Sequence, residues 1–263
     1  MPTYLETIID AHRTLAAADG RSVDEAVSRA EECDPPRPFV DSLEVAAARR
    51  GVAVISEIKR RSPSKGDLDL SLDPAEVAAA YEAGGAACLS VLTDAEFVGA
   101  RPDDLATARG ACSLPVLRKD FTVSALDVCD ARLMGADAVL LIVAALADDE
   151  LASFLELADH LDLSALVEVH DEVELKRALA AGAGLVGVNQ RDLRTFEVDP
   201  HRAIALAELM PAGVVAVAES GIRTPDDVST LAAAGYQAVL VGETLVRSDD
   251  RGAAVAGLLG TAP

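Results

Sequence analysis

From residue 52 onward the chain alternates between short apolar runs and longer stretches whose apolar positions recur at helical spacing. The runs fall near 52–58, 86–92 (AACLSVL), 114–118, 137–143 (DAVLLIV), 164–169, 185–189, 213–218 and 238–241. They are short, near-continuous apolar runs, the pattern of parallel strands covered on both faces. Helical stretches follow near 74–83, 102–111, 124–134, 148–161, 171–181, 200–209, 225–234 and 249–259. Several begin with a capping residue (Asp73, Ser124, Asp199, Thr224), three of them with proline next. Ahead of the first run, residues 3–18 read as an amphipathic helix. DPPRPF at 34–39 then breaks the pattern, and a second helix spans about 38–50 and ends at Gly51.

A faint repeat marks the helix-to-strand joints: EAGGAACLS, LMGADAVLL, AAGAGLVGV and AAGYQAVLV. Gly84, Gly135, Gly182 and Gly235 are expected there as left-handed caps that end a helix and start the next strand. Eight strands, each followed by a helix, within about 210 residues predict an α/β protein, a (β/α)₈ TIM barrel with an N-terminal helical extension. Residues 1–263 then form a single domain, with 1–51 as extension and 52–263 as barrel. An open doubly wound sheet is the competing architecture, although no GxGxxG turn follows the first strand as a dinucleotide-binding version requires.

Composition narrows the partners. A mean hydropathy of +0.25 excludes a disordered chain. No apolar run approaches the roughly 20 residues of a membrane span. The first residues lack a basic n-region, so a cytoplasmic location is expected. The net charge of −21 is spread over many helices, which argues against nucleic acid or anionic membrane as partner. So diffuse an acidic surface fits a halophilic protein, because salt screens its self-repulsion. The four cysteines and four histidines form no metal-ligand spacing, and no metal or cofactor motif is present. His170, at a strand end, reads first as a loop or capping residue.

In such a barrel chemistry sits at the C-terminal ends of the strands. Those ends carry Glu57 and Lys59; Lys119 and Asp120; Glu168 and His170; Asn189 and Arg191; Glu219, Ser220 and Gly221; Gly242 and Glu243. Strands two and four end less tellingly, in Thr93-Asp94 and Ile142-Val143. Basic residues are otherwise mainly arginine; the lysines are Lys59, Lys65, Lys119 and Lys176, so two of four stand on this rim, with the sole Asn of the chain. The loops after strands seven and eight, SGIRTPDD and VGETLVR, combine glycine with a helix start and fit a phosphate. Lysines flanked by other cations are expected to have a lowered pKa, and a Glu beside them to exchange a proton near neutrality. The basic stretch from Arg60 to Gly66 reads as a lid over strand one.

SEIKRRSPSKGD, VLRKDF, LVEVHDEVEL, VNQRDLRTFEVD, AESGI and LVGETLVR, in this order, resemble the indole-3-glycerol phosphate synthase family over essentially the whole chain. That resemblance implies a cofactor-free carboxy-lyase of tryptophan biosynthesis. It closes and decarboxylates 1-(2-carboxyphenylamino)-1-deoxyribulose 5-phosphate. By the same resemblance Lys119 is the catalytic acid, Glu168 handles a proton in the dehydration, and Glu57 and Lys59 orient these groups. Asn189 and Arg191 become polar substrate contacts, while Ser220, Gly221, Gly242 and Glu243 lie beside the phosphate with Glu219 close by. Ser62 lies in the covering loop, and Phe121 and Leu140 touch the anthranilate ring. Gln190 is larger than expected, and Glu243 suits a phosphate site only with its carboxylate turned away. Phosphoribosylanthranilate isomerase, a Schiff-base aldolase using Lys119, and a non-catalytic phosphometabolite binder are the alternatives.

Overall fold

A computed structural model describes residues 3–62, 66–192 and 194–260. The eight apolar runs form strands β1 (Ala53–Ile58), β2 (Cys88–Leu92), β3 (Val116–Lys119) and β4 (Ala138–Ile142), then β5 (Ser164–Val169), β6 (Leu185–Asn189), β7 (Val215–Glu219) and β8 (Ala238–Val241). They pair in parallel, in sequence order. β1 also pairs with β8, with Ala53 opposite Ala238, so the sheet closes on itself. Closure excludes the open doubly wound alternative. It also leaves every strand buried between an inner side-chain core and an outer ring of helices, which is why the runs are apolar on both faces. Side chains alternate, so Glu57 shares its inward face with Ile55 and Ala53, and Asn189 shares its face with Gly187 and Leu185.

Among the described residues three helices, not two, precede the barrel: α1 (Tyr4–Ala18), α2 (Val23–Glu31) and α3 (Phe39–Arg50). Thr3 and Glu6 form a reciprocal capping box that starts α1. α2 escapes the periodicity reading because it buries only two alanines, Ala26 and Ala30, against helix Ala125–Leu133. Its start is nevertheless written as Ser22 and Glu25, with Ser22 accepting from the Glu25 N–H. α3 buries Phe39 and Leu43 completely, each contributing about 1.5–3 kcal/mol, and ends on left-handed Gly51.

The extension runs from one end of the barrel to the other. Arg37, just ahead of α3, donates to the carbonyl oxygen of Leu114, while its backbone N–H donates to the buried Asp137 carboxylate. Both partners lie at the N-terminal ends of strands. α1, by contrast, crosses the opposite rim: His12 hydrogen-bonds Asp94 after β2, and Arg13 forks onto Glu150 beyond β4. The first helix of the chain is therefore part of the rim where barrel chemistry sits.

Two local expectations need correction. Gly135, Gly182 and Gly235 have the expected positive φ, but at the first joint the left-handed residue is Gly85 (φ 94°), not Gly84. Gly84 is helical. A Cβ there would collide with Gly252 of helix Arg251–Leu258, so the absent side chain lets the first and last outer helices touch. Helix His201–Ala207 starts one residue later than expected, with Pro200 at the cap and Asp199 accepting from the His201 N–H.

Candidate active site

Thirteen of the fourteen positions singled out as site residues face one cavity of about 430 Å³ at the C-terminal rim. β1 and the segment after it supply Glu57, Lys59 and Ser62; β3 supplies Lys119 and Phe121; and β4 supplies Leu140. β6 supplies Asn189 and Arg191, β7 Glu219, Ser220 and Gly221, and β8 Gly242 and Glu243. The volume is that of a small-molecule site. Glu168 is the exception: its side chain is 2% exposed and lies behind Lys119 and Asn189 rather than on the wall.

The floor is a lattice of paired charges. Lys119 Nζ donates to Glu168 Oε2 at 2.7 Å and lies 3.4 Å from Glu219 Oε2. Asn189 Nδ2 donates to Glu168 Oε1 at 3.2 Å, and Lys59 pairs with Glu57 beside it on β1. The strand register aligns Glu168 with Gly187 and Asn189 with Glu219, so three neighbouring strands deliver these groups close together near their C-terminal ends. Two glycines make room. A Cβ at Gly187 would collide with Glu219 Oε1, and one at Gly242 with Glu57 Oε1 and Lys59 Nζ.

This arrangement reverses the expected electrostatics of the lysine. Burial opposes the charge on Lys119, but Glu168, Glu219 and Glu57 outweigh it and raise its pKa. Carboxylates, not cations, are its nearest charged neighbours. Burial likewise disfavours the charge on Glu168, yet Lys119 and His170 hold it below the usual carboxylate range. Glu219 behaves oppositely. Burial pushes it up, Lys119 only partly offsets this, and the adjacent Glu168 raises it further, to about 8. The carboxyl able to keep a proton near neutrality is thus Glu219, on the wall, while its neighbour Glu168 stays ionised.

The loops expected to cradle an anion are braced against one another. Ser220 (φ 68°) and Gly221 (φ 76°) are consecutive left-handed residues that turn the chain at the end of β7. Thr244 Oγ1 donates to the Ile222 carbonyl oxygen, joining this loop to the one after β8. Gln190 Nε2 donates to the Ser220 carbonyl oxygen at 2.8 Å, which gives its unexpected length a use. The Glu243 carboxylate lies 3.6 Å from Arg247 one turn further on.

The basic segment after β1 is less available than its charge implies. Arg60 is buried and forks onto Asp104, at 2.8 and 3.1 Å, and Arg61 pairs with Asp67. Arg61–Ser62 and Gly66–Asp67 form a small antiparallel ribbon; Pro63 to Lys65, the middle of the expected lid, lie outside the described residues.

Strand-end reasoning discounts Asp94 and misses Phe196, Arg223 and Arg247, all of which line the cavity. Both arginines stand within the loops that read as phosphate-binding, so their charge is the available signal. Asp94 resembles a helix cap, and it does accept from the Phe97 N–H, but its other oxygen binds His12 at 2.8 Å. His12 also lies against the Phe121 ring, with centroids 5.5 Å apart. His12, Asp94 and Asp120 bring their ligand-type atoms within 4.8 Å of one another, a grouping invisible in the sequence. Their oxygens already bind protein donors: Asp120 takes Thr93, Arg118 and the Phe121 N–H. The cluster works as an ion-pair brace.

A closed parallel barrel with a lysine–carboxylate floor and two braced glycine loops at its C-terminal rim has the architecture of a (β/α)₈-barrel enzyme. The sequence profile of indole-3-glycerol phosphate synthase matches residues 5–258. Proteins named indole-3-glycerol phosphate synthase from Mycobacteroides abscessus, Paracidovorax citrulli and Parafrankia sp. are 48%, 46% and 50% identical to this chain. Those alignments cover 99%, 98% and 98% of this chain and 96%, 99% and 97% of the relatives. The chain belongs to the indole-3-glycerol phosphate synthase family. A thiamine phosphate pyrophosphorylase from Pyrococcus furiosus has the same fold, with a TM-score of 0.60 at 17% identity, covering 82% of this chain and 97% of that one.

Proposed function

We propose that this chain converts 1-(2-carboxyphenylamino)-1-deoxyribulose 5-phosphate to indole-3-glycerol phosphate, releasing carbon dioxide and water. The observation that carries the reading is Lys119, held cationic on the cavity wall by Glu168 and Glu219 and backed by full-length membership of the family.

In this reading the phosphate sits against the Ser220–Gly221 turn and Gly242, near Arg191, and the anthranilate ring lies along Phe121 and Leu140. The ring carbon bearing the carboxylate attacks the ribulose carbonyl carbon, forming the new carbon–carbon bond. The carbonyl oxygen takes a proton from Lys119 and becomes a hydroxyl. The carboxylate leaves as carbon dioxide, and its bonding electrons restore the aromatic ring. The hydroxyl then departs as water with one further proton, and loss of a proton completes the indole. Glu168 and Glu219, one ionised and one protonated, are suited to this last exchange, with Glu168 acting through Lys119 from behind the wall. Glu57 and Lys59 orient the reacting centre as a pair, and Asn189 holds Glu168 in place.

We also infer that residues 1–263 form one domain, that the protein works in the cytoplasm, and that its charge of −21 reflects a salt-rich interior. Its partner is a small phosphorylated molecule, with neither nucleic acid nor membrane involved. Among the described residues no helix is long and apolar enough to cross a membrane.

The direct test adds the anthranilate–ribulose phosphate and follows indole fluorescence; its absence at all salt concentrations overturns the assignment. Borohydride added during turnover distinguishes a Schiff-base enzyme, since ring closure leaves no substrate reduced onto Lys119.

A further inference from the structure

His170 follows β5 and is 12% exposed, and its two ring nitrogens meet different carboxylates. Nδ1 lies 3.0 Å from Glu174 Oε2, the same oxygen that accepts from the His170 backbone N–H at 2.8 Å. Nε2 is buried, has no hydrogen-bond partner among the described residues, and lies 3.5 Å from Glu168 Oε1. A histidine serving only to cap helix Glu172–Ala180 needs the first of these contacts and gains nothing from the second. We propose that His170 is a positioning residue for the synthase reaction, holding Glu168 ionised and its other oxygen on Lys119 through a Glu174–His170–Glu168–Lys119 chain.

Tautomer chemistry supports this arrangement. Donation to Glu174 places a hydrogen on Nδ1. Nε2 then either carries the second hydrogen of an imidazolium, which attracts Glu168, or points a bare lone pair at a carboxylate oxygen. The first state is favoured while Glu168 is ionised. Among the described residues the charged groups acting on the ring are acidic: Glu174 from helix Glu172–Ala180, Glu168 from β5 and, further off, Glu219 from β7. Burial opposes the charge on His170, but these three carboxylates prevail and raise its pKa. At 3.5 Å the Nε2 contact is an ion pair rather than a full hydrogen bond, leaving Glu168 Oε1 free to accept from Asn189. The role rests on the reaction proposed above, because it acts on Glu168.

Two substitutions separate this role from a structural one. H170N places an amide near Nδ1 and keeps the bond to Glu174; H170Q reaches towards Nε2 and Glu168. H170N is expected to lose about ten-fold in kcat with KM unchanged, and to shift the acid limb of the kcat profile towards higher pH, a change of about one pKa unit. H170Q restores a donor towards Glu168 without the charge, and is expected to fall between wild type and H170N. The reverse order, with H170N as active as wild type, overturns the proposal.

A second measurement does not need turnover. Titration of the His170 ring by NMR in the full chain is expected to move down by about one pH unit in E168Q and in E174Q. An unchanged midpoint in E168Q also overturns the proposal. A wild-type chain that turns over no substrate while the His170 midpoint still moves counts against the assigned reaction, not against this pairing.

Discussion

Glu219 Oε1 occupies the space that a side chain at Gly187 would fill, one strand away inside the barrel. The missing Cβ on β6 is therefore what lets a carboxyl from β7 reach Lys119. G187A is expected to cost about 1–3 kcal/mol by overpacking and to lower kcat by displacing Glu219. Urea melts and steady-state kinetics on the same preparation test both parts; an unchanged midpoint with full activity would show that the space is not limiting.

Lys119 carries the proposed proton transfer. K119M is expected to reduce turnover at least about 10²-fold while leaving substrate binding largely intact, measured by fluorescence titration. The substitution also leaves Glu168 and Glu219 buried without their cation, so the variant should gain stability as pH falls and these acids take up protons. Near-normal turnover in K119M would rule out Lys119 as the acid that protonates the ribulose oxygen.

The raised pKa of Glu219 has a direction that kinetics can read. A carboxyl lifted to about 8 is protonated below that pH and ionises above it. Activity is expected to decline as pH rises through about 8, and E219Q, which has no proton to lose, should lack that limb. The stability effect has the same sign. The folded state binds this proton more tightly than the unfolded chain, so the proton's contribution is complete below the unfolded value of 4.5 and is lost as pH rises to about 8.

His12 and Asp94 clamp α1 to the rim, and the clamp has a pH window. Burial disfavours the imidazolium of His12, but Asp94, Asp120 and Asp127 overcome this and raise its pKa above the unfolded 6.5. Its contribution is thus fully present below 6.5 and is lost as pH rises through the folded value. Asp94 is also disfavoured by burial, yet its bond to His12 and the Phe97 and Val98 N–H groups lower its pKa below 3.8. It contributes above 3.8 and fails as pH falls through the lowered value. Between about pH 4 and 6.5, H12Q is expected to cost about 1–2 kcal/mol, and clearly less near pH 9. Denaturation of both proteins across pH tests this; a difference constant with pH would refute the ion pair.

The net charge of −21 implies a salt requirement. In dilute buffer the Debye length exceeds the spacing of surface carboxylates, and self-repulsion destabilises the compact state. Melting temperature is expected to rise steadily from about 0.01 M to 1 M KCl, whereas a flat profile would mean that self-repulsion of the surface acids does not limit stability and would remove the salt-rich reading.

What the sequence determined was the repeating part. Strand and helix identities follow from local apolar runs and caps, and right-handed parallel connectivity leaves few ways to assemble eight such units, so the barrel and its rim were legible residue by residue. Motif order also placed Lys59, Lys119, Asn189 and the Ser220–Gly221 turn on one wall. α2 was not legible, because its buried face is only two alanines, Ala26 and Ala30, too small to read as an apolar stripe in a short, mostly polar segment. Tertiary structure alone decided the charge states. That two carboxyls face Lys119, which of Glu168 and Glu219 keeps a proton, and that Arg60 is held by Asp104 all depend on distances between residues far apart in the chain. So does the return of α1 across the rim to bring His12 to Asp94. Coulomb energies in a buried site change over an ångström or two, and no local pattern in the sequence encodes separations that fine.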